Sequence, residues 1–561
     1  MRSFIRNLTA ALLVASLTVP AAAQREPESP RLVENIDVRI INVDVVVTDR
    51  KGNPVPNLKA SDFEIYENGV LKPISNFYEI QGTEARSVVE VPEQGVTATA
   101  KADVPPEISE KLKRRIIFYI DNLSLAPFNR NRVFTQMKDF VKNVMRPGDE
   151  AMIATYNRSM KIRVPFTRDP LAINTMLDQL ATESGLGIAA RSERKSTEDR
   201  IREARSYDEA MATARSYASS VEHDLRQSVS SLTGLMTTLA GVEGKKILVL
   251  TSEGFPMQPG REAFYFIEEV GREKGWSNVG ATLLEPMSFD GTRFVQQVAK
   301  TANANGITMY TVHAAGLTGG MEMSAEHSQT VSSMVSQAAI SNTTESMQLM
   351  AEMTGGLASV QNNNFAEAFR RINRDLDSYY SLGYRAGTER VDRQRYLQVK
   401  VKQKGLIVRN RQTFVEKSLY AEMGDRVIAN LLYKGKDNDM KILARVGSPR
   451  AVEDGLFQVP MDIQIPMESL TLLPQGEEYV GGFDIYVAVA DKDGDMSDVS
   501  RKSHQLRISA SDYKNLKGKY YTYTLDMLMA RGLNKISVGV ADQISSETGF
   551  AREQIIAQDL R

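Results

Sequence analysis

The 561-residue sequence has no cysteine and only four histidines. Without cysteine, the chain has no disulfides, no thiolate metal ligands and no cysteine nucleophile, so its stability has to come from packing. The sequence also has no Gly-x-Ser-x-Gly segment, no His-Glu-x-x-His segment and no phosphate-binding glycine loop. No catalytic pattern is left to support an enzyme, and we expect a non-enzymatic protein with no catalytic residues.

An excess of charge of one sign is also missing. The chain has 69 Lys and Arg against 70 Asp and Glu, a formal net charge of −1. A nucleic-acid partner needs a concentrated basic surface, so we expect none. What is present is an ordinary globular composition, 42% hydrophobic and 25% charged. At this length the chain is expected to form roughly two to four domains.

The first residues have the three-part layout of a secretory signal peptide. Arg2 and Arg6 precede an apolar run from Ala10 to Val19, and three alanines end at Ala23. The apolar run is shorter than the roughly 20 residues that span a bilayer, although a buried N-terminal helix and a membrane anchor are the alternatives. We predict that residues 1–23 are removed, which leaves a periplasmic or extracellular protein with no membrane span.

Alternating hydrophobic residues and turn signals predict a small β module over residues 30–80. Within it, Asn68-Gly69 is a strong hairpin signal. Residues 81–112 are rich in Glu, Val, Ala, Thr and Pro and show no helical period. They are predicted to be a linker.

A central α/β domain is predicted over residues 113–416. Its first strand, Ile116 to Ile120, is followed by an amphipathic helix, and strands and helices then alternate. Such alternation predicts a mostly parallel sheet with helices on both faces. Two insertions interrupt it, a helical one near 183–240 and one near 315–342 that we expect to be a mobile loop. Further strands at 379–416 extend the domain.

The C-terminal block, residues 421–561, is predicted to be an antiparallel β-sandwich, because short alternating runs recur with turn residues between them. It contains an acidic cluster of Asp491, Asp493, Asp495 and Asp498. Gly494 takes the fourth position of this cluster, whereas an EF-hand loop needs glycine at the sixth. A tight Asp-Gly turn is therefore favoured over a calcium loop.

Several segments of the central domain resemble those of von Willebrand factor A domains. These segments are Arg115 to Asp121 with the helix that follows, Arg146 to Asp149, Gly244 to Gly254, Ala302 to Val312 and Ala351 to Gly356. The strands from Val43 to Phe77, the segment Tyr379 to Tyr384 and the C-terminal block are similar to the large exported A-domain-related family described from Acidobacteria. The resemblance covers nearly the whole chain after residue 23.

This resemblance implies a Rossmann-like sheet with a ligand site at the carboxyl ends of its strands. In the family that site is a metal-ion-dependent adhesion site. Its pattern is an aspartate, hydroxyls two and four residues further on, a distant threonine and a second aspartate. A divalent ion such as Mg²⁺ prefers several such oxygen ligands.

The sequence carries only a degenerate form of this pattern. Asp121 matches the first aspartate, but leucines occupy both hydroxyl positions, and Ser124 is available only in a shifted register. Glu253 lies where the second acid belongs, and for the threonine Thr182 is merely a candidate. Asp121, Ser124 and Glu253 are therefore hypothetical ligands of a weak Mg²⁺ or other divalent cation site. The alternative is structural: Asp121 caps its loop and Glu253 is a solvated turn residue.

Taken together, these features predict an exported protein that binds another protein, or mediates adhesion, through the carboxyl edge of its central sheet. No cofactor is predicted with certainty, and the partner is a protein of unknown identity. Two alternatives stay open, a structural component of the cell envelope and an uncharacterised hydrolase.

Overall fold

In a computed structural model of the chain, the described residues are 40–82, 84–88, 99–100, 113–277, 279–317, 333–385, 391–433, 438–492 and 494–558. The predicted signal peptide, most of the predicted linker and residues 318–332 of the second insertion lie outside them. The chain divides into two compact units. The first comprises Val38–Thr237 and Glu243–Glu416, and the second comprises Lys417–Arg561 with the short segment Thr238–Val242.

The first unit begins with six strands: β1 (Ile40–Thr48), β2 (Phe63–Glu67), β3 (Val70–Lys72), β4 (Ile74–Gln81), β5 (Glu84–Val88) and β6 (Thr99–Ala100). Strands β2 and β3 pair as an antiparallel hairpin. Asn68 and Gly69 make its turn with φ of 49° and 81°, and positive φ at both residues is what a type I′ turn requires. The hairpin predicted at Asn68-Gly69 is therefore confirmed.

A second group of strands forms the α/β sheet: β7 (Arg114–Asp121), β8 (Glu150–Tyr156), β9 (Met160–Thr167), β10 (Lys245–Ser252), β11 (Ile307–His313) and β12 (Ala358–Ser359). The helices between and after them are α1 (Pro127–Val144), α2 (Pro170–Thr182), α3 (Gly187–Glu203), α4 (Tyr207–Thr238), α5 (Arg261–Lys274), α6 (Thr292–Ala304), α7 (Ser333–Thr354) and α8 (Phe365–Asp377), with a 3₁₀ segment at Val279–Ser288. The first insertion therefore consists largely of α3 and α4.

The α/β sheet has the order β12-β11-β10-β7-β8-β9. All neighbouring strands are parallel except β9, which runs antiparallel to β8 at one edge. Helices α1, α2 and α8 pack on one face through a shared core that includes Phe118 and Val249. Helices α6 and α7 pack against β11, and the Thr311 hydroxyl on the opposite face donates to the carbonyl of Met347 in α7. The predicted, mostly parallel sheet with helices on both faces is confirmed.

The strand order reverses between β7 and β10. From β7 the chain continues to β8 and β9 on one side of the sheet, and then crosses to β10, β11 and β12 on the other. Open α/β sheets bind ligands in the crevice at the carboxyl ends of the strands at such a reversal. Here those ends are Asp121 and Ser252, the last residues of the two parallel neighbours.

The strands that follow the α/β sheet are β13 (Ser378–Arg385), β14 (Gln394–Val401), β15 (Ile407–Asn410) and β16 (Thr413–Val415). They complete sheets that the first strands of the chain begin. Strand β13 lies between β1 and β4, β15 pairs with β1, and β14 lies between β2 and β16. The core that results joins side chains from both ends of the unit, among them Val43, Phe63, Tyr380 and Val399.

A buried ion-pair network ties the same two parts of the chain together. Arg395 Nη1 donates to Glu67 Oε1 at 2.8 Å, and Arg395 Nη2 donates to Glu416 Oε2 at 2.7 Å. Both Glu67 and Arg395 are almost fully buried. Removing one partner of such a network leaves a charge in the core without compensation.

The second unit contains α9 (Leu419–Leu432), β17 (Leu443–Val446), β18 (Arg450–Ala451), β19 (Phe457–Pro466), β20 (Leu473–Gln475), β21 (Glu478–Ala490), β22 (Ser500–Ser509), α10 (Ala510–Tyr513), β23 (Tyr520–Met529), β24 (Gly532–Asp542) and β25 (Thr548–Ala557). One antiparallel sheet contains β17, β18, β19 and β23, and the other contains β20, β21, β22, β24 and β25. Side chains of β19, β23, β21 and β24 share one core, so the predicted C-terminal β-sandwich is confirmed. Helix α9 packs on the outer face of the second sheet.

The acidic segment after β21 forms a turn. The Asp495 N–H donates to Asp491 Oδ1 at 2.9 Å, and the Asp491 N–H donates to the carbonyl of Asp495 at 3.0 Å. Asp493 lies outside the described residues. The carboxylate of Asp491 therefore holds the turn itself together. None of the helices in the described part of the chain combines the length and the apolar character needed to cross a bilayer.

Candidate functional site

The carboxyl ends of β7 and β10 bring three side-chain oxygens together. The Ser124 hydroxyl donates to Asp121 Oδ2 at 2.7 Å, and the Ser252 hydroxyl donates to the same oxygen at 2.8 Å. The two hydroxyl oxygens lie 3.0 Å apart. Asp121 and Ser252 are buried, whereas Ser124 is partly exposed. With the adjacent Glu253, these residues are called the edge cluster below.

Backbone amides fix both serines. The N–H of Glu253 donates to Ser124 Oγ at 3.0 Å, and the N–H of Gly254 donates to Ser252 Oγ at 2.9 Å. Each serine hydroxyl therefore donates a hydrogen bond to Asp121 and accepts one from a backbone N–H. The loop after β10 is tied to the loop after β7 through these bonds.

Glu253 connects the edge cluster to two helices. Its Oε1 accepts from the N–H of Ala126 at 3.1 Å and from Asn129 Nδ2 at 3.0 Å, at the start of α1. Its Oε2 accepts from Nη2 of Arg191 in α3 at 2.8 Å. The Glu253 side chain is 15% exposed and that of Arg191 is 58% exposed. Glu253 is therefore a bonded carboxylate and not the solvated turn residue of the structural alternative.

Burial raises the pKa of the Asp121 carboxyl, while hydrogen bonds from Ser124, Ser252 and two backbone N–H groups work against that rise. The second oxygen, Asp121 Oδ1, is buried and has no hydrogen-bond partner among the described residues. Burial disfavours the ionised form of a carboxyl, and a fully buried oxygen without a donor adds to that cost.

As arranged, the edge cluster does not fit a divalent cation. The orphaned Asp121 Oδ1 is an oxygen that a cation could use, but the two serine hydroxyls are directed at the other carboxylate oxygen. Glu253 is occupied by Arg191, Asn129 and a backbone amide. In the part of the chain that the structure describes, no three acidic or histidine side chains are grouped as a metal would need. Mg²⁺ prefers near-octahedral coordination by hard oxygens, and this set falls short of it.

The structure brings Asp121, Ser124 and Glu253 together at one edge and adds Ser252, which the sequence analysis missed. The parallel register pairs Thr251 with Ile120, which brings the next residue of β10 level with Asp121. That register was the only signal that could have identified Ser252. Thr182, the candidate threonine, is exposed at the end of α2, and its hydroxyl donates to the carbonyl of Gln179 at 2.7 Å.

His313 ends β11, directly beside Ser252 in the parallel ladder. It is buried, and its Nδ1 has no partner among the described residues. The Ser252 hydroxyl donates to Asp121 and not to His313, so these two neighbours do not form the serine–histidine pair of a hydrolytic nucleophile. The geometry of the edge therefore gives the hydrolase alternative no support.

Replacing His313 should change how stability depends on pH. Burial lowers the pKa of His313, and the nearby Glu253 carboxylate opposes that shift only in part. The unfolded chain then binds more protons than the folded chain as the pH falls through the usual histidine value of about 6.5. Stability from neutral His313 is thus full above that pH and is lost below it. We expect the loss of unfolding free energy between pH 7.5 and pH 5.5 to be smaller in His313→Gln than in the unmodified chain.

Urea unfolding at the two pH values measures this effect. His223→Gln, at an exposed histidine of α4, is the matched control. Equal pH dependence in His313→Gln and His223→Gln would contradict the buried, neutral state of His313.

Three exposed apolar side chains lie on segments next to the edge cluster. They are Phe128 at the start of α1, Ile188 at the start of α3 and Leu317 after β11, which are 61%, 58% and 59% exposed. Helix α3 begins directly against the loop after β7, so closely that a Cβ at Gly187 would collide with the carbonyl oxygen of Ser124. These three residues are called the apolar rim.

Asn363 connects Leu317 of the apolar rim to Arg132 in α1. Its Oδ1 accepts from the N–H of Leu317 at 3.1 Å and from Arg132 Nη2 at 3.0 Å. The Arg132 guanidinium lies 5.9 Å from the centre of the Phe128 ring. The edge cluster and the apolar rim therefore lie on neighbouring segments of the chain at the carboxyl edge.

The sequence matches no family model and no curated protein. Among solved structures, the chain has weak similarity to an aerotolerance-related membrane protein from Bacteroides fragilis, with 14% identity, 47% of this chain and 98% of that chain covered, and a TM-score of 0.23. BatB from Bacteroides thetaiotaomicron is 11% identical, with 47% and 96% covered and a TM-score of 0.23. A manganese-loaded TRAP protein from Plasmodium vivax is 9% identical, with 54% and 93% covered and a TM-score of 0.21. Similarities with scores this low say nothing about what the chain binds.

Proposed function

We propose that the chain is an exported, non-enzymatic protein, related to von Willebrand factor A domains, that binds another protein through the carboxyl edge of its α/β sheet. The protein would act in the periplasm or outside the cell. Its partner would be a protein, and its contact surface would consist of the edge cluster and the apolar rim.

One observation carries this proposal. The strand order reverses between β7 and β10, and three exposed apolar residues, Phe128, Ile188 and Leu317, lie on the segments next to these strand ends. An isolated exposed leucine needs no explanation, but apolar side chains grouped around polar groups are typical of protein-binding surfaces. The segments Arg115 to Asp121 and Gly244 to Gly254 resemble those of A domains. This resemblance supports a binding site at the same edge.

The layout of residues 1–23 supports export, and the signal peptide stays a prediction. A structural envelope component is the main alternative. It would need the same export but no exposed recognition surface at the carboxyl edge. The two functions therefore differ in whether that edge contacts a specific partner.

Site-specific photo-crosslinking in the organism that makes the protein separates them. A photoreactive amino acid replaces Phe128 in the apolar rim or, as the matched control, Leu171. Leu171 is another exposed apolar residue, at the start of α2 and 71% exposed. We expect one light-dependent adduct with a single protein from position 128 and none from position 171. No adduct at 128, or the same adducts at both positions, would overturn binding at this edge.

The metal hypothesis has its own test. Because the serine hydroxyls are directed at Asp121 and Glu253 is bonded to Arg191, we expect calorimetric titration of the full chain with Mg²⁺ or Mn²⁺ to give no heat of binding. Asp121→Ala serves as the control, since it removes the orphaned carboxylate oxygen. A heat in the unmodified chain that disappears in Asp121→Ala would establish a cation at the edge cluster and contradict this expectation.

A further inference from the structure

Arg191 is the most exposed charged group bonded to the edge cluster. Its guanidinium carries five N–H donors in a planar fork. One nitrogen, Nη2, donates to Glu253 Oε2 at 2.8 Å, and the side chain remains 58% exposed. A guanidinium in this position can receive a second carboxylate from outside.

Glu253 holds that guanidinium in place. Its other oxygen accepts from the N–H of Ala126 and from Asn129, and these bonds hold the carboxylate in one position. A charged group that is already ordered before binding loses less conformational entropy when a ligand arrives. Arg191 is therefore prepared for a planar, charged ligand.

Further cations lie on the two helices, α1 and α3, whose side chains bond to Glu253. Ile188, Arg191 and Lys195 recur at helical spacing along α3, and all three are exposed. On the other side of the apolar rim, Arg132 donates to the neutral amide of Asn363 and stacks near Phe128. Since Glu253 balances only Arg191, the surface has positive charge left to attract an acidic partner.

We propose that the carboxyl edge binds an acidic segment of a partner protein, in which an Asp or Glu carboxylate is received by Arg191 and a neighbouring bulky apolar side chain packs on Phe128 and Ile188. The inference rests on the proposed function and names the chemistry of its partner. The guanidinium, and not a bound metal, supplies the positive charge. Arg and aromatic residues dominate the energetics of many protein interfaces, and both are present here.

Nucleic acid and a lipid surface fit less well. A phosphate backbone needs several cations along a track, and a membrane needs a larger basic or apolar face. The edge instead offers one fixed guanidinium, two further cations and three separate apolar side chains. A short acidic and apolar protein segment matches both the charge and the size of this surface.

Selection of random twelve-residue peptides displayed on phage against the full-length protein tests the proposal. We expect the enriched peptides to share an Asp or Glu within a few residues of Phe, Leu, Ile or Trp. Synthetic copies should bind Arg191→Gln at least tenfold more weakly than the unmodified protein. They should bind equally well with and without EDTA.

Arg293→Gln is the matched control, since Arg293 is also an exposed arginine paired with a glutamate, in α6, with a side chain that is 61% exposed. It should bind the peptides normally. Replacing the acid of the peptide by its amide should weaken binding to the unmodified protein but have little further effect on Arg191→Gln, because the two changes remove the same contact. Arg191→Lys keeps the charge but not the planar fork. It should bind the peptides more weakly than the unmodified protein and more tightly than Arg191→Gln.

Normal binding by Arg191→Gln, loss of binding in EDTA, or enriched peptides without acidic residues would each overturn the proposal. If Arg191→Gln melts at a lower temperature, its weaker binding could reflect lost stability. The test is then whether the unmodified protein binds the amide form of the peptide more weakly than the acidic form. A crosslink from position 128 together with any of these results would leave the binding edge in place and refute only the acidic partner. Absence of both the crosslink and the peptides would instead refute the proposed function.

Discussion

Leu248→Asp is expected to unfold the α/β sheet. Leu248 is fully buried in β10, where parallel strands β7 and β11 flank it on both sides. A carboxylate there would have no cationic partner and no water, and substitutions that bury an unpaired charge are among the most destabilising. We expect a loss of about 4 kcal/mol or more, enough to remove much of the stability of an ordinary domain.

Hydrogen exchange of the amides in β7, β10 and β11 of the full chain measures this effect. Leu171→Asp is the matched control, since it makes the same chemical change at an exposed leucine in the first turn of α2, where an acidic residue is favourable. Native protection of β10 in Leu248→Asp would show that this strand is not the covered centre of the sheet.

Arg395→Met should destabilise the β part of the first unit by about 3 to 5 kcal/mol, the usual effect of breaking a buried ion pair. The substitution leaves Glu67 buried without its guanidinium partner, and Lys72 at 3.9 Å is a poor substitute. The double change Glu67→Met with Arg395→Met removes both charges of this pair, so that only the less buried Glu416 loses its partner. It should be less destabilising than Arg395→Met alone, because apolar pairs often replace buried ion pairs at little cost.

Urea unfolding measures the free energy of unfolding of these variants, and hydrogen exchange in β2 and β14 shows whether the loss of stability lies there. Arg393→Met, two residues earlier and exposed, is the control and should behave as the unmodified chain. If the double variant were no more stable than Arg395→Met, the unpaired charge of Glu67 would not be the cause of the destabilisation.

The sequence was most informative where residues close together along the chain determine a structure. The Asn68-Gly69 turn, the buried strand around Leu248 and the helical insertion each depend on a local pattern, and each is present in the structure. Asp121 and Glu253 could be placed at one edge because parallel strands end on the same side of a sheet.

The sequence was least informative about which distant strands pair. The sequence predicts residues 379–416 as an extension of the α/β domain, yet Tyr380 belongs to a sheet with Val45. Strand pairing is decided by packing against neighbours, and no local pattern records the neighbour. Ser252 was missed for the same reason, since its contact with Asp121 depends on the register between β7 and β10.

The sheet in which β13 pairs with β1 and β4 cannot be completed until β13 has been synthesised. Tyr380 donates to the carbonyl of Val55 across 325 residues of sequence. At roughly 5 to 20 residues per second, the first strands wait roughly 15 to 65 s after their own synthesis before their partners exist. During that interval β1 exposes a valine-rich strand with free edges, a state that favours aggregation. A chain emerging N-terminus first would therefore benefit from a chaperone that covers β1 until β13 arrives.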